Sequence, residues 1–169
     1  MAAIHRFYTA AMGFELVKAE IAKTPEGGWA KHFFYTTGGD AMMAFWELHD
    51  EKLPEEFPTG LSEAAGLPPW VNHVAFGAAD AADLEVKKQR WLEHGCDVVE
   101  IDHVWCYSIY TMDPNQTLVE FCITTTAFSD DDRRQAHEAL TRDDLALSPE
   151  PRVTVHRSPN EPVHRDSTR

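Results

Sequence analysis

One order of elements occurs twice in this chain, and that internal repeat restricts the fold more than any other feature. In the first pass, Ile4, Phe7, Tyr8, Ala11 and Met12 recur at helical spacing, and Gly13 stands where a helix ends with positive φ. Phe14-Glu15-Leu16-Val17 then reads as a strand, followed by strands over residues 32–37 and 41–48 joined through Gly38-Gly39-Asp40. In the second pass, Val71-Asn72-His73-Val74-Ala75-Phe76 is a strand with alternating faces. Asp80 or Asp83 caps a helix carrying Leu84, Trp91 and Leu92, which ends at Gly95. Cys96-Asp97-Val98-Val99 opens a strand as Phe14-Glu15-Leu16-Val17 did. Strands over 105–112 and 117–123 follow, joined by Asp113-Pro114-Asn115-Gln116.

The two passes align numerically, with Gly13 and Gly95 82 residues apart and Tyr35-Thr36 and Tyr110-Thr111 75 apart. Each half is therefore β-α-β-β-β, except that the first lacks its opening strand. An open sheet missing a buried strand leaves a hydrogen-bonding edge unpaired, so the expectation is a start at an internal methionine of a longer reading frame. The division is one domain over 1–125 (module one 1–48, a Pro-rich linker 49–70, module two 71–125). A short helix follows within 126–147, capped by Ser129, and then a mobile tail at 148–169 that includes His156 and His164.

A net charge of −13 repels phosphate backbones and anionic lipid, which argues against nucleic acid and membrane partners. No apolar run is long enough to span a bilayer and no signal-peptide pattern opens the chain. Cys96, Cys106 and Cys122 are odd in number and not in CxxC spacing, so they read as buried thiols of a reducing cytoplasm. No GxGxxG, P-loop, GxSxG or HExxH pattern occurs, so nucleotide binding, a serine-hydrolase elbow and a zincin site have no support.

His73 and Glu120 carry the chemistry. Taken singly, a strand histidine is compatible with a structural role, and Glu120 could face solvent in an alternating strand. A carboxylate in the apolar run Leu118-Val119-Glu120-Phe121, however, is costly to bury unless paired or bound to a metal. The two residues lie on the first and last strands of one β-α-β-β-β unit, which can be neighbours in a curled sheet. Imidazole plus carboxylate is two-thirds of a facial triad for Fe(II) or Mn(II), and also suits Zn(II) or Ni(II).

His73-Val74-Ala75-Phe76 followed by a helix, with Ser108-Ile109-Tyr110-Thr111-Met112-Asp113-Pro114-Asn115 and Leu118-Val119-Glu120-Phe121, resembles the vicinal oxygen chelate superfamily. That superfamily holds glyoxalase I, the bleomycin and fosfomycin resistance proteins and the type I extradiol dioxygenases. The resemblance covers about residues 2–125. It implies an α+β fold of paired βαβββ modules around one cavity, a small-molecule substrate and a divalent metal held by His73 and Glu120. It also implies that a homodimer is a candidate assembly, since an open first-strand edge favours pairing with a second copy.

Within the superfamily the Ser-x-Tyr-x-x-x-Pro segment is most similar to the extradiol dioxygenases. There a tyrosine at the place of Tyr110 hydrogen-bonds the substrate and a nearby histidine, here His103, assists proton chemistry. Extradiol-type cleavage of a catechol is therefore the leading expectation. The rivals are a glyoxalase-like lyase or isomerase, and a metal-free protein that sequesters an aromatic molecule against Trp29, Trp46, Trp70 or Trp105. The chain departs from the family in lacking the first-strand histidine ligand and in placing Gln116 where the turn usually has glycine. Glyoxalase-like members draw a further carboxylate from the last strand of module one. The 75-residue offset puts Phe45 opposite Glu120, with Glu47 two positions on as a candidate ligand if the register shifts.

Overall fold

The structure is a computed structural model that describes residues 1–54 and 57–162. The chain opens with α1 (Ala2–Arg6), continued by one π-helical stretch, Phe7–Ala11. Its buried face (Ile4, Phe7, Tyr8, Ala11, Met12) is the predicted stripe, and it ends at Gly13 with φ 76°. Three antiparallel strands follow, β1 (Glu15–Lys23), β2 (Trp29–Gly38) and β3 (Ala41–His49), paired in the order β1-β2-β3.

After a connection holding the single-turn α2 (Leu61–Ala64), the second half runs β4 (His73–Gly77), α3 (Ala81–Glu93), β5 (Val98–Asp102), β6 (Cys106–Met112) and β7 (Leu118–Thr124). The predicted cap is present. Asp80 accepts the Asp83 amide and Asp83 in turn accepts the Ala79 amide, each at 2.9 Å, satisfying donors that helix geometry leaves free. Beyond β7 lie α4 (Asp130–Ala139), whose Ser129 and Asp132 form a capping box, and β8 (Arg152–His156). The second sheet has the order β4-β7-β6-β5-β8, with β4 parallel to β7 and the other pairs antiparallel.

The halves differ as the repeat predicts. β4 occupies one edge of β7, whereas the corresponding edge of β3 pairs with no strand among the described residues. The two sheets share one core. Phe14 meets Phe76 at 5.0 Å and Phe121 at 6.2 Å between ring centres, and the Tyr8 hydroxyl donates to Asp113 at 3.0 Å. Asp113 also accepts the amides of Asn115 and Thr117, both at 2.8 Å. That cradle keeps the β6–β7 turn intact even though Gln116 must adopt φ 62°, a left-handed conformation that glycine takes at far lower cost.

One prediction is overturned. Part of the segment read as a mobile tail is β8, which pairs with β5 from Val98↔His156 to Asp102↔Arg152. Its apolar content is low, so hydropathy missed it; the backbone ladder to β5 and polar side-chain contacts hold it instead. His156 Nε2 lies 3.1 Å from Glu100, which also binds Lys88 at 2.7 Å and accepts from Tyr107, while Asp97 accepts the Ser158 amide at 2.9 Å and an Arg157 guanidinium bond. His164 lies outside the described residues.

These contacts give an acid-sensitive edge. Burial alone would raise the Glu100 carboxyl, but the Lys88 and Tyr107 bonds outweigh it and hold it below its ordinary value. The Ser158 amide and then Arg157 hold Asp97 below its own. Groups whose folded value is depressed stabilise the fold above their unfolded value, and that contribution is lost as pH falls through the folded one. Protection of the amides across residues 152–160, relative to intrinsic exchange, is therefore expected to fall as pH drops below about 5, ahead of protection in β6 and β7. Uniform protection down to global unfolding would contradict this.

Candidate metal centre

Strand alternation decides which side chains meet. On β7, Val119 and Phe121 are buried against α3, with Phe121 5.4 Å from Trp91, so Leu118, Glu120 and Cys122 point to the opposite, concave face. His73 is opposite Leu118 in the parallel register and Tyr110 is opposite Glu120 in the antiparallel one, which brings both onto that face. Glu120 is 5% exposed, so it is a buried carboxylate and not a solvent-facing one. His73 Nε2 lies 3.2 Å from Glu120 Oε2.

The other nitrogen of His73, Nδ1, lies 3.0 Å from the carbonyl oxygen of Trp70. A carbonyl can only accept, so the ring proton sits on Nδ1, as in metal-ligating histidines tied to a backbone oxygen. Nε2, the remaining ring nitrogen, is turned toward a carboxylate oxygen. Two acceptors at that distance need a cation between them, a second ring proton or a metal. Two ligands bound at about 2.1 Å to one ion stand about 3.0–3.4 Å apart, so the observed separation fits a divalent ion.

His103 Nε2 lies 3.1 Å from the Tyr110 hydroxyl, so the predicted tyrosine and histidine are joined. Burial first, and then the Glu120 charge, push the Tyr110 phenol up to about 12, so it is protonated at neutral pH. His103 enters a tight turn closed by its own amide to the Cys106 carbonyl at 2.9 Å. The next residue, Val104, has φ 75°, a strained conformation for a β-branched side chain. Trp70, His73, Ile101, His103, Tyr110 and Leu118 line a concavity of about 550 Å³. A larger hollow of about 780 Å³ beside Trp105 and α4 has no histidine or cysteine in its wall.

Glu47 does not join the pair. Its carboxylate binds Lys31 Nζ at 2.5 Å and His49 Nε2 at 2.8 Å. Phe45, on the same face of β3, packs on Tyr8 at 4.6 Å and so faces the core, whereas Glu120 faces away from it. The numerical offset thus matched residues of opposite faces: Tyr35, on which the count is anchored, is itself buried in the core beside Tyr8, whereas Tyr110 faces the concavity, and side chains alternate with period two. Of the four tryptophans considered, only Trp70 reaches the concavity. Trp29 stacks on His49 at 3.7 Å, Trp46 on His32 at 3.8 Å, and Trp105 leans on Phe128 at 5.3 Å.

Sequence reasoning missed the cysteines. Cys106, Glu120 and Cys122 form the one group of three potential metal donors among the described residues, with ligand atoms all within 4.8 Å of one another. The signal was the spacing Glu120-x-Cys122, which places both on one face of a strand.

The sequence model of the family described as the glyoxalase/bleomycin resistance protein/dioxygenase superfamily matches residues 1–121. Among solved structures, a glyoxylase/bleomycin resistance protein/dioxygenase domain from Frankia sp. EAN1pec is 15% identical, with a TM-score of 0.55, over 72% of this chain and 87% of that one. A lactoylglutathione lyase from Agrobacterium tumefaciens is 22% identical over 71% of this chain and 82% of its own, with a TM-score of 0.44. The fosfomycin resistance protein FosX from Listeria monocytogenes, crystallised with Mn(II), is 18% identical over 78% and 86%, with a TM-score of 0.42. No curated protein matches the chain. With the family match extending over 121 of 169 residues, the chain belongs to the glyoxalase/bleomycin resistance protein/dioxygenase superfamily.

Proposed function

We propose that this protein is a mononuclear metal enzyme that cleaves a catechol-like aromatic with O₂ in the extradiol manner, with His73 and Glu120 as metal ligands. The observation that carries the reading is the His103–Tyr110 hydrogen bond of 3.1 Å, on the same concave face as the 3.2 Å His73–Glu120 pair. A bound Fe(II) or Mn(II) ion would supply Lewis acidity to the substrate oxygens and a site for O₂ beside them.

The chain's own residues supply the rest. Tyr110, protonated and held by His103, is positioned to hydrogen-bond a substrate oxygen, and the His103 imidazole beside it is the local group to take up a hydroxyl proton. Trp70, Ile101 and Leu118 give the ring an apolar wall and exclude water from it. Both atoms of O₂ enter the ring-opened product, so no further reductant is required.

A lyase or isomerase of the glyoxalase type needs a carboxylate such as Glu47 near the metal, and Glu47 is engaged with Lys31 and His49 instead. Metal-free binding of an aromatic molecule is the second reading, supported by the apolar lining of the concavity. The test is anaerobic loading with Fe(II), addition of catechol and admission of air. Ring opening with matching O₂ uptake is expected. Tight binding of catechol in the presence of a chelator, with no O₂ uptake after loading, would instead favour the metal-free reading.

A further inference from the structure

We propose that Cys106, Cys122 and Glu120 form a second, thiolate-bearing metal site for a thiophilic divalent cation of the Zn(II) class, which shares Glu120 with His73. The inference does not depend on the reaction proposed above, because it rests on two sulfur donors that the reaction does not use, with only Glu120 common to both. Cys106 comes from β6, and Glu120 and Cys122 from β7 at i and i+2; the sheet brings their ligand atoms within 4.8 Å of one another. Cys106 and Glu120 are buried, while Cys122 is half-buried and gives an ion access.

In a tetrahedral site with metal–sulfur bonds of about 2.3 Å, donor atoms stand about 3.5–3.8 Å apart, so rotamer changes of about 1 Å close the set. Ser108 Oγ, 3.3 Å from Cys106 Sγ, is placed to fix the orientation of that sulfur. Two thiolates favour Zn(II) over the harder Fe(II) and Mn(II), which suit imidazole and carboxylate. Binding converts two thiols and one carboxylate into a three-donor complex and releases two protons to solvent, with no redox change.

His73 approaches Glu120 within 3.2 Å yet does not belong to the group of mutually close donors, so the carboxylate stands between two donor sets. An ion on the sulfur side withdraws Glu120 from His73. Thiophilic cations therefore compete with an ion held by His73 for one carboxylate.

The test is anaerobic titration of the reduced full chain with Co(II), followed by displacement with Zn(II). The expected result is a stoichiometric sulfur-to-cobalt charge-transfer band that Zn(II) abolishes. Cys106→Ser and Cys122→Ser are each expected to remove the band and weaken Zn(II) binding at least about tenfold, with unchanged circular dichroism, while His73→Ala keeps the band. A cobalt spectrum free of thiolate charge transfer in the unaltered chain overturns the proposal, whatever the variants do. A band that survives both serine substitutions, or a Cys106–Cys122 disulfide formed in place of metal uptake, overturns it too. Absence of catechol cleavage by the iron-loaded protein would count against the catalytic reading alone.

Discussion

Tyr110→Phe is expected to lower kcat for catechol cleavage by about 10²- to 10⁴-fold while leaving bound iron unchanged. The substitution removes only the hydroxyl that joins His103 at 3.1 Å, and positioned proton-transfer groups contribute effects of that size. Because the ring stays in the apolar wall, KM should move far less than kcat. His103→Gln should give a loss of the same order and, combined with Tyr110→Phe, little further loss, since the two side chains act as one hydrogen-bonded unit. Iron content measured alongside separates this from His73→Ala, which is expected to lose metal and activity together. If Tyr110→Phe retains full turnover, the phenol has no part in the chemistry.

Trp91→Ala is expected to cost about 3–5 kcal/mol of stability, a fall in melting temperature of about 6–20 °C. Trp91 is fully buried on α3 and lies 5.4 Å from Phe121, which flanks Glu120 on β7. Removing it opens a large cavity beneath the strand that carries the site. Trp91→Phe should cost much less, because the indole Nε1–H of Trp91 has no hydrogen-bond partner among the described residues. The phenylalanine removes that unsatisfied donor while keeping most of the packing. Thermal melts of the two variants decide the matter; equal losses would mean that the indole N–H is satisfied in solution.

The concave face explains why some of the site was legible in advance and some was not. Leu118-Val119-Glu120-Phe121 showed an acid in an apolar run, and His73 stood on a strand of the same unit, so their pairing followed from topology. Tyr110 and His103 were named from a resemblance, and their contact depends on the tight turn at Val104, which no spacing rule announces. Glu47 was drawn in by a count anchored on Tyr35, which faces the core, where Tyr110 faces the cavity. β8 was hidden because its pairing relies on Glu100 and Asp97 as partners rather than on an apolar stripe.

The amino-acid sequence by itself determined the repeat and set Glu120 in an apolar run, because periodicity acts locally and leaves a local pattern; whether that carboxylate is buried stayed open. Only the tertiary structure decided which donors share a face. It placed His73 on one side of Glu120 and the sulfurs of Cys106 and Cys122 close by it, and it left Glu47 with Lys31 and His49. The physical reason is the two-residue alternation of strands: a shift of one position turns a side chain from the core to the cavity, and cross-strand register, not composition, sets that shift.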